Sequence, residues 1–480
     1  MKIDRFFRIP LCLAGLVAGL CLPGYFHADD FGLLAWLRYD HPSPVHWFDV
    51  WEMGIWRPFH LAVFWMETRL FGSNPLGYRL AHGLLYLFTV AVFFPLALRL
   101  LRSPRAARIA AALFASTYSH WEAVFWICAS SELWVGFGGA IMGLVLIRAD
   151  ERSPRFWGSM AVIAHILALL AKENAVVLLP IAAGIWLHQR YAWPRDFPHP
   201  HPNPLPMGEG ITTMEREEQS GYAASFVLWL ALGIPWILSL AWRGYLAAGG
   251  AAVQSGVFSL WGTHVPHNAG AFLIRLFFPW ITNPPLGWAL AALALTGGLS
   301  IYVVAARRYQ LILPLAWMLL ALVPYVGIDT PGYYPSRYTC LAGMGWALLT
   351  AGLIEKVGEA SRNARRAAIA AVTGFCLFNV SLYACHPEIR YFQKDDALYR
   401  LVVSELRKLN LPDVQSVAVT GLNLPLEAKI PNSIRYLYAL AYAPPERVWS
   451  GGGPWPGVPD LILRWESGTF SVIRLAKPGG

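Results

Sequence analysis

The feature that most constrains this chain is the recurrence of apolar stretches about 20 residues long, the length an α-helix needs to cross a bilayer. Eleven can be marked, at 9–27, 78–101, 107–127, 132–148, 156–171, 174–189, 223–242, 286–306, 309–327, 338–355 and 367–385. Charged residues are 14% of the 480 positions, against roughly 25% in soluble proteins, too few to coat several water-soluble domains. The chain therefore reads as an all-α polytopic membrane protein with about 11 transmembrane helices. That reading excludes a cytosolic enzyme and a disordered regulator, and runs of helical length argue against a membrane β-barrel. The six cysteines lie mostly in apolar runs, so neither a disulfide framework nor a metal-ligand spacing follows from them.

The net charge of +9 is distributed as topology rather than as a nucleic-acid surface. Arg102, Arg105 and Arg108 fill one gap between runs, Arg148, Arg152 and Arg155 another, Arg307 and Arg308 a third, and Lys356, Arg362, Arg365 and Arg366 a fourth. With basic loops inside, the N-terminus is cytoplasmic and the C-terminus lies outside. The run at 9–27 reads as a retained first helix, being too long for a signal peptide and lacking a small-residue cleavage site. The run at 268–283 is expected to lie in the interface, because Arg275 interrupts it.

Two segments differ from the rest. Residues 190–222 read as a cytoplasmic Pro-rich insertion loop, since prolines at alternating positions in the stretch 198–210 forbid a helix there; His199 and His201 in it have no fixed metal geometry. Residues 386–480 read as a small α/β extracytoplasmic domain after the transmembrane domain of 1–385. An amphipathic helix carries Leu398, Leu401, Val402 and Leu406, a buried strand is expected at 414–420, a second helix at 433–442, and a hairpin at 460–475.

Charges on the outer rim are not explained by orientation, and four clusters fall there: Asp29 and Asp30, His120 and Glu122, Lys172 and Glu173, and Arg337. One site would need this combination, carboxylates to move a proton and cations to hold an anion. His264 and His267 have no third ligand nearby, so no metal set is read from them. Most of the 22 tryptophans belong to an interfacial belt, with Trp56, Trp121, Trp126 and Tyr333 expected near the site.

In order along the chain stand Asp29-Asp30, Trp56-Arg57-Pro58, Asn74-Pro75 before Tyr78-Arg79, Ser119-His120-Trp121-Glu122-Ala123-Val124, Ala171-Lys172-Glu173 and Ser336-Arg337-Tyr338. This series resembles the GT-C class of polytopic glycosyltransferases, and in particular the membrane half of the O-mannosyltransferases that carry tetratricopeptide repeats. No such repeat is present here, and Ser130-Ser131-Glu132 replaces a turn with Arg found in many relatives. The resemblance implies a hexosyltransferase of a bacterial inner membrane that moves a sugar from a polyprenyl-phosphate donor to a hydroxyl of a protein, lipid or glycan acceptor. It implies that Asp29 is the base, with Asp30 as neighbour or alternate, and that Lys172, Arg337 and Arg57 stabilise the leaving phosphate. His120 and Glu122 would orient Asp29 or the acceptor, or else pair with Arg79 and His82. A divalent cation shared by Asp29 and Asp30 is the one cofactor under consideration. The competing readings are a ligase or polymerase of lipid-linked glycans and, from another class, a transporter of a lipid-linked precursor.

Overall fold

The computed structural model describes residues 7–27, 29–50, 55–151, 154–191, 210–248, 262–328, 334–409, 416–420, 447–450, 459, 461–467 and 469–475. The chain opens with α1 (Arg8–Cys21), followed by the short α2 (Asp29–Ala35), then α3 (Pro58–Phe71), α4 (Pro75–Leu101), α5 (Pro104–Ser116) and the single turn α6 (Trp121–Phe125). The bundle continues through α7 (Ser131–Glu151), α8 (Pro154–Ala171), α9 (Leu178–Tyr191), α10 (Gly210–Ala248), α11 (His264–Phe277), α12 (Leu286–Ala305), α13 (Tyr309–Val326), α14 (Cys340–Ala360) and α15 (Arg362–Cys385). After α16 (Pro387–Lys408) come strands β1 (Ser416–Thr420), β2 (Arg447–Ser450), β3 (Leu461–Glu466) and β4 (Thr469–Leu475).

Local sequence sets many of the ends. Asn74 and Ser103 cap α4 and α5 through Leu76 N and Ala106 N, each with proline at the first helical position, where its missing N–H costs nothing. Among the described residues, seven helices are long and apolar enough to cross a membrane, and Arg8–Cys21 and Arg155–Ala171 are shorter apolar helices. All eleven predicted runs hold a helix.

Three of these readings need correction. The run at 107–127 is not one helix: α5 stops at Ser116, Thr117 turns extended, and the chain proceeds through 3-10 turns at Tyr118–His120 and Ile127–Ser130 on either side of α6. Such irregular backbone is tolerated only where protein encloses it, and residues 109–133 are all buried. The run at 268–283 is not one helix either: α11 starts at His264 and ends at Phe277, with Arg275 inside it. Most of the second half of α11 is buried, and Arg275 donates to Tyr334 O at 3.0 Å and to Glu388 at 2.7 and 2.9 Å. The acidic run Glu215, Glu217 and Glu218 falls in α10, which begins at Gly210 rather than after a loop ending at 222. The Pro-rich stretch before it, with His199 and His201, lies outside the described residues, as do the helix expected at 433–442 and Tyr333.

Small residues allow the close packing at the centre of the bundle. Helix α5 is alanine-rich and buried throughout 109–116 between α1, α4 and α14. Gly345 of α14 lies so close to the backbone of α13 that a Cβ would collide with Met318 N and Pro314 O. In the C-terminal sheet the order is β2-β1-β3-β4, with β1 parallel to both neighbours and β3–β4 an antiparallel hairpin. The hairpin matches the expectation, and Ser467 at φ 53° supplies its left-handed turn. This sheet is not a detached unit. Tyr399, Val402, Val403 and Leu406 of α16 join Val417, Leu461 and Leu463 to Phe26, Phe31 and Leu34 of the first loop in one apolar cluster.

Candidate active site

The rim clusters meet at one end of the bundle. The first loop is anchored by Arg79 of α4, whose guanidinium donates to Cys21 O at 3.1 Å, Phe125 O at 2.7 Å and Tyr25 O. Gly24 has to be glycine, because a Cβ there would occupy the space of that guanidinium. From the other side α16 clamps the same loop. Asp396 accepts from Tyr25 N at 2.7 Å, Arg400 donates to Pro23 O and Gly24 O at 2.9 and 3.0 Å, and His27 stacks on Phe392.

On this support the two predicted acids separate in role. Asp30 is fully buried, and both carboxylate oxygens are committed, Oδ2 to His27 N at 2.8 Å and Oδ1 to Cys128 N at 2.7 Å. It staples the first loop to the loop after α6, and Trp126 Nε1 adds a bond to His27 O at 3.1 Å. Burial pushes Asp30 up to about 8, against the opposing pull of those two N–H donors and Arg79. Asp29, one residue earlier, is only partly buried. A divalent cation shared by the pair does not fit, because Asp30 has neither an exposed oxygen nor one without a donor.

The predicted cations each sit against a carboxylate. Lys172 Nζ lies 2.7 Å from Glu132 Oε1, and Glu132 also accepts from Asn174 at 2.9 Å and Tyr325 at 2.9 Å, so the buried pair is part of a hydrogen-bonded network. Arg57 grips both oxygens of Glu173, with Nε at 2.9 Å from Oε2, and Arg243 approaches the same carboxylate at 3.8 Å. Burial would raise Glu173, yet the Arg57 guanidinium beside it holds it well below the usual carboxylate range. Arg337 pairs with Glu122 at 3.1 Å and lies over the rings of Trp126 and Tyr338, at 4.7 and 4.9 Å. Lys172 reaches the same Tyr338 ring at 5.4 Å, so two of the cations share one aromatic wall. Cys128 lies within the electrostatic reach of Asp29, Asp30, Arg57 and Arg337 together.

His120 is placed differently from its expected role. It is completely buried beneath the rim, packed on Phe114 and 3.3 Å from Tyr86 OH, and pairs with neither Arg79 nor His82. Glu122 pairs with Arg337 rather than with Arg79, and His82 takes Glu67 instead at 3.0 Å. Of the aromatics expected nearby, Trp126 and Trp56 are at the site, while Trp121 donates to Glu388 at 2.8 Å behind it. Sequence reading missed Glu132 as a partner, Arg243 and Tyr325. Only Glu132, a carboxylate heading an apolar run, gave a signal that could have been used.

Beside the charged cluster opens an apolar cleft of about 550 Å³, lined by Ile166, Leu169, Leu170, Pro235, Leu238 and Trp242 together with Phe48 and Trp56. Arg243, next to Trp242, donates to Leu169 O at 3.0 Å and lies 5.9 Å from the Trp56 ring. The Arg57–Glu173–Arg243 part of the charged cluster therefore adjoins the cleft.

No protein-family model matches the chain, and no curated protein does. Among solved structures it is similar to ArnT from Cupriavidus metallidurans bound to undecaprenyl phosphate, with TM-score 0.50 and 13% identity over 96% of this chain and 92% of that one. The chain has a GT-C fold. Matches of TM-score 0.44 and 0.40 are to the Archaeoglobus fulgidus oligosaccharyltransferase in complex with zinc and sulfate (12% identity; 92% of this chain and 62% of that one) and to ArnT in the apo state (15%; 96% and 92%). In the GT-C fold of this chain the charged cluster lies at the end of the bundle formed by the first loop, the loop after α6 and the α8–α9 connection.

Proposed function

We propose that the protein is a membrane glycosyltransferase that moves a sugar from a polyprenyl-phosphate donor to a hydroxyl acceptor at the outer face of a bacterial inner membrane. The observation that carries this reading is the adjacency of the apolar cleft between α8 and α10 to Arg57 and Arg243, which meet at Glu173 next to Lys172 in the chain. An amphiphile with a long apolar chain and a phosphate head needs both surfaces side by side. The similarity to a structure bound to undecaprenyl phosphate supports a carrier of that class.

In the proposed step the acceptor oxygen attacks the anomeric carbon while the bond from that carbon to the phosphate oxygen breaks. The hydroxyl proton passes to Asp29, and the electron pair leaves with the polyprenyl phosphate. Arg337 and Lys172 stabilise that growing negative charge, already oriented by Glu122 and Glu132 so that little reorganisation is needed. Asp30 contributes by fixing the loop from which Asp29 projects. Of the residues expected as substrate-binding, Arg57 and Arg337 keep part of their side chains accessible, whereas Lys172, Glu122 and His120 are buried.

The test is incubation of the purified protein in lipid nanodiscs with radiolabelled polyprenyl-phosphate sugars and identification of the labelled product. Transfer to a hydroxyl acceptor is the expected result. Movement of intact donor across vesicle membranes with no new glycosidic bond would overturn it in favour of a transporter.

A further inference from the structure

A second cluster of chemistry-bearing side chains lies on the segment between α2 and α3, in the sequence His41-Pro42-Ser43-Pro44-Val45-His46-Trp47-Phe48-Asp49. The 3-10 turn Pro44–Phe48 carries His46, and Asp49 caps it three residues on, where 3-10 geometry sets side chains above one another. His46 Nδ1 lies 2.6 Å from Asp49 Oδ2, and His41 Nδ1 lies 3.9 Å from the same oxygen. The three donor atoms fall within 4.8 Å of one another. The His41 Nδ1 atom is itself buried, with no hydrogen-bond partner among the described residues. A buried imidazole nitrogen aimed at two other ligand atoms lacks the partner such a group normally has.

The surroundings hold the set in place. The His41 ring lies 4.3 Å from Trp36 and 4.6 Å from His46. Pro42 O accepts from Trp65 Nε1 and Arg69, both at 2.9 Å, which ties the segment to α3. We propose that His41, His46 and Asp49 bind one divalent zinc-class ion, with solvent in the fourth position. Two imidazoles and one carboxylate are a donor set of intermediate softness, suited to zinc rather than to magnesium or calcium. In tetrahedral zinc sites with ligand bonds near 2.0–2.2 Å, donor atoms stand about 3.3 Å apart, between the two distances seen here. Metal binding exchanges the His46–Asp49 hydrogen bond for two metal bonds and releases any proton shared between them.

The ion would act as a clip on the cleft. Phe48 lines the apolar cleft, and its carbonyl accepts from the indole of Trp56, another lining residue, at 3.1 Å. Fixing His46 and Asp49 on either side of Phe48 therefore stiffens that wall. This site is separate from Asp29 and Asp30 and does not rest on the glycosyltransferase reading.

The experiment uses full-length protein without a histidine tag, stripped with chelator and titrated with zinc in detergent. Metal content is read by mass spectrometry, and cobalt substitution by the visible spectrum. Expected are one equivalent bound and a tetrahedral cobalt spectrum. His41→Ala, His46→Ala or Asp49→Ala should weaken affinity by more than the roughly 10- to 100-fold that loss of an outer partner costs. Asp29→Asn should leave it unchanged. Zinc should also slow proteolytic cleavage in the 41–50 segment of the parent and not of the three variants. The proposal is overturned if the parent retains no zinc above background, or if His41→Ala, a partly exposed position whose change should not impair folding, binds as the parent does.

Discussion

The two ends of the bundle draw on the same residue types and use them in opposite ways. At the site end Lys172, Arg57 and Arg337 are largely buried and each is matched to a carboxylate from a distant part of the chain. At the other end Arg102, Arg307, Arg308, Arg362 and Arg366 are exposed, and contacts such as Arg105–Glu355 at 3.8 Å or Lys356–Glu359 join partly solvated groups. Hydropathy cannot tell these ends apart, since both are short polar gaps between apolar runs. The difference is burial with a long-range partner. A solvated arginine can orient a chain in the membrane, whereas a desolvated one needs a counter-charge, supplied here by carboxylates distant in the chain.

The strongest way to break this contrast is at the proposed base. Asp29→Asn should lower turnover by roughly 10²- to 10⁴-fold with donor binding retained, while Arg308→Ala at the opposite end leaves both intact. Single-turnover transfer and donor binding on the two variants decide it. Equal loss in both would erase the distinction between the ends.

Next in size is the buried pair. Lys172→Met leaves Glu132 without its counter-ion and should cost about 3–5 kcal/mol, whereas Lys172→Met with Glu132→Leu should recover most of that stability. Both should remain inactive if Lys172 meets the carrier phosphate. A double variant that melts like the parent and also transfers sugar would show the pair to be scaffold alone.

A smaller effect is expected at the staple between the loops. Asp30→Ala strands two buried N–H groups and should cost about 1–3 kcal/mol, seen as a lower melting temperature rather than as a changed pH optimum of turnover. Burial also pushes Asp396, in the clamp from α16, up to about 6 despite Arg79, the Tyr25 N–H and Arg400. Asp30 and Asp396 therefore bind protons more tightly folded than unfolded. Their contribution to stability is complete below about pH 4 and is lost as pH rises through about 6 and then about 8. Protease resistance of the α16 junction should fall over that window, and Asp396→Asn should flatten the lower part of the fall. An increase of resistance with pH would reverse the assignment.

The smallest effect belongs to the far end. Glu355→Gln removes the carboxylate facing Arg105 and Ser103 and should shift stability by no more than about 1 kcal/mol, because the groups remain partly hydrated. A shift as large as that at Lys172 would show that the two ends do not differ in kind.

The apolar runs, the hairpin of β3 and β4 and the placement of Asp29, Lys172 and Arg337 at helix ends were all legible in the sequence, because each depends on residues close together in the chain. Hydrophobic length, turn chemistry and a charge at a run's end are local properties. Tertiary structure alone decided which charge meets which. Glu132 reaches Lys172 from 40 positions away, Glu173 reaches Arg57 across 116, and Asp396 reaches the first loop across 371. It also separated Asp29 from Asp30, two identical side chains side by side in the chain. Burial and two backbone N–H groups claimed one of them, and desolvation depends on what packs around a residue, which no neighbouring letter records.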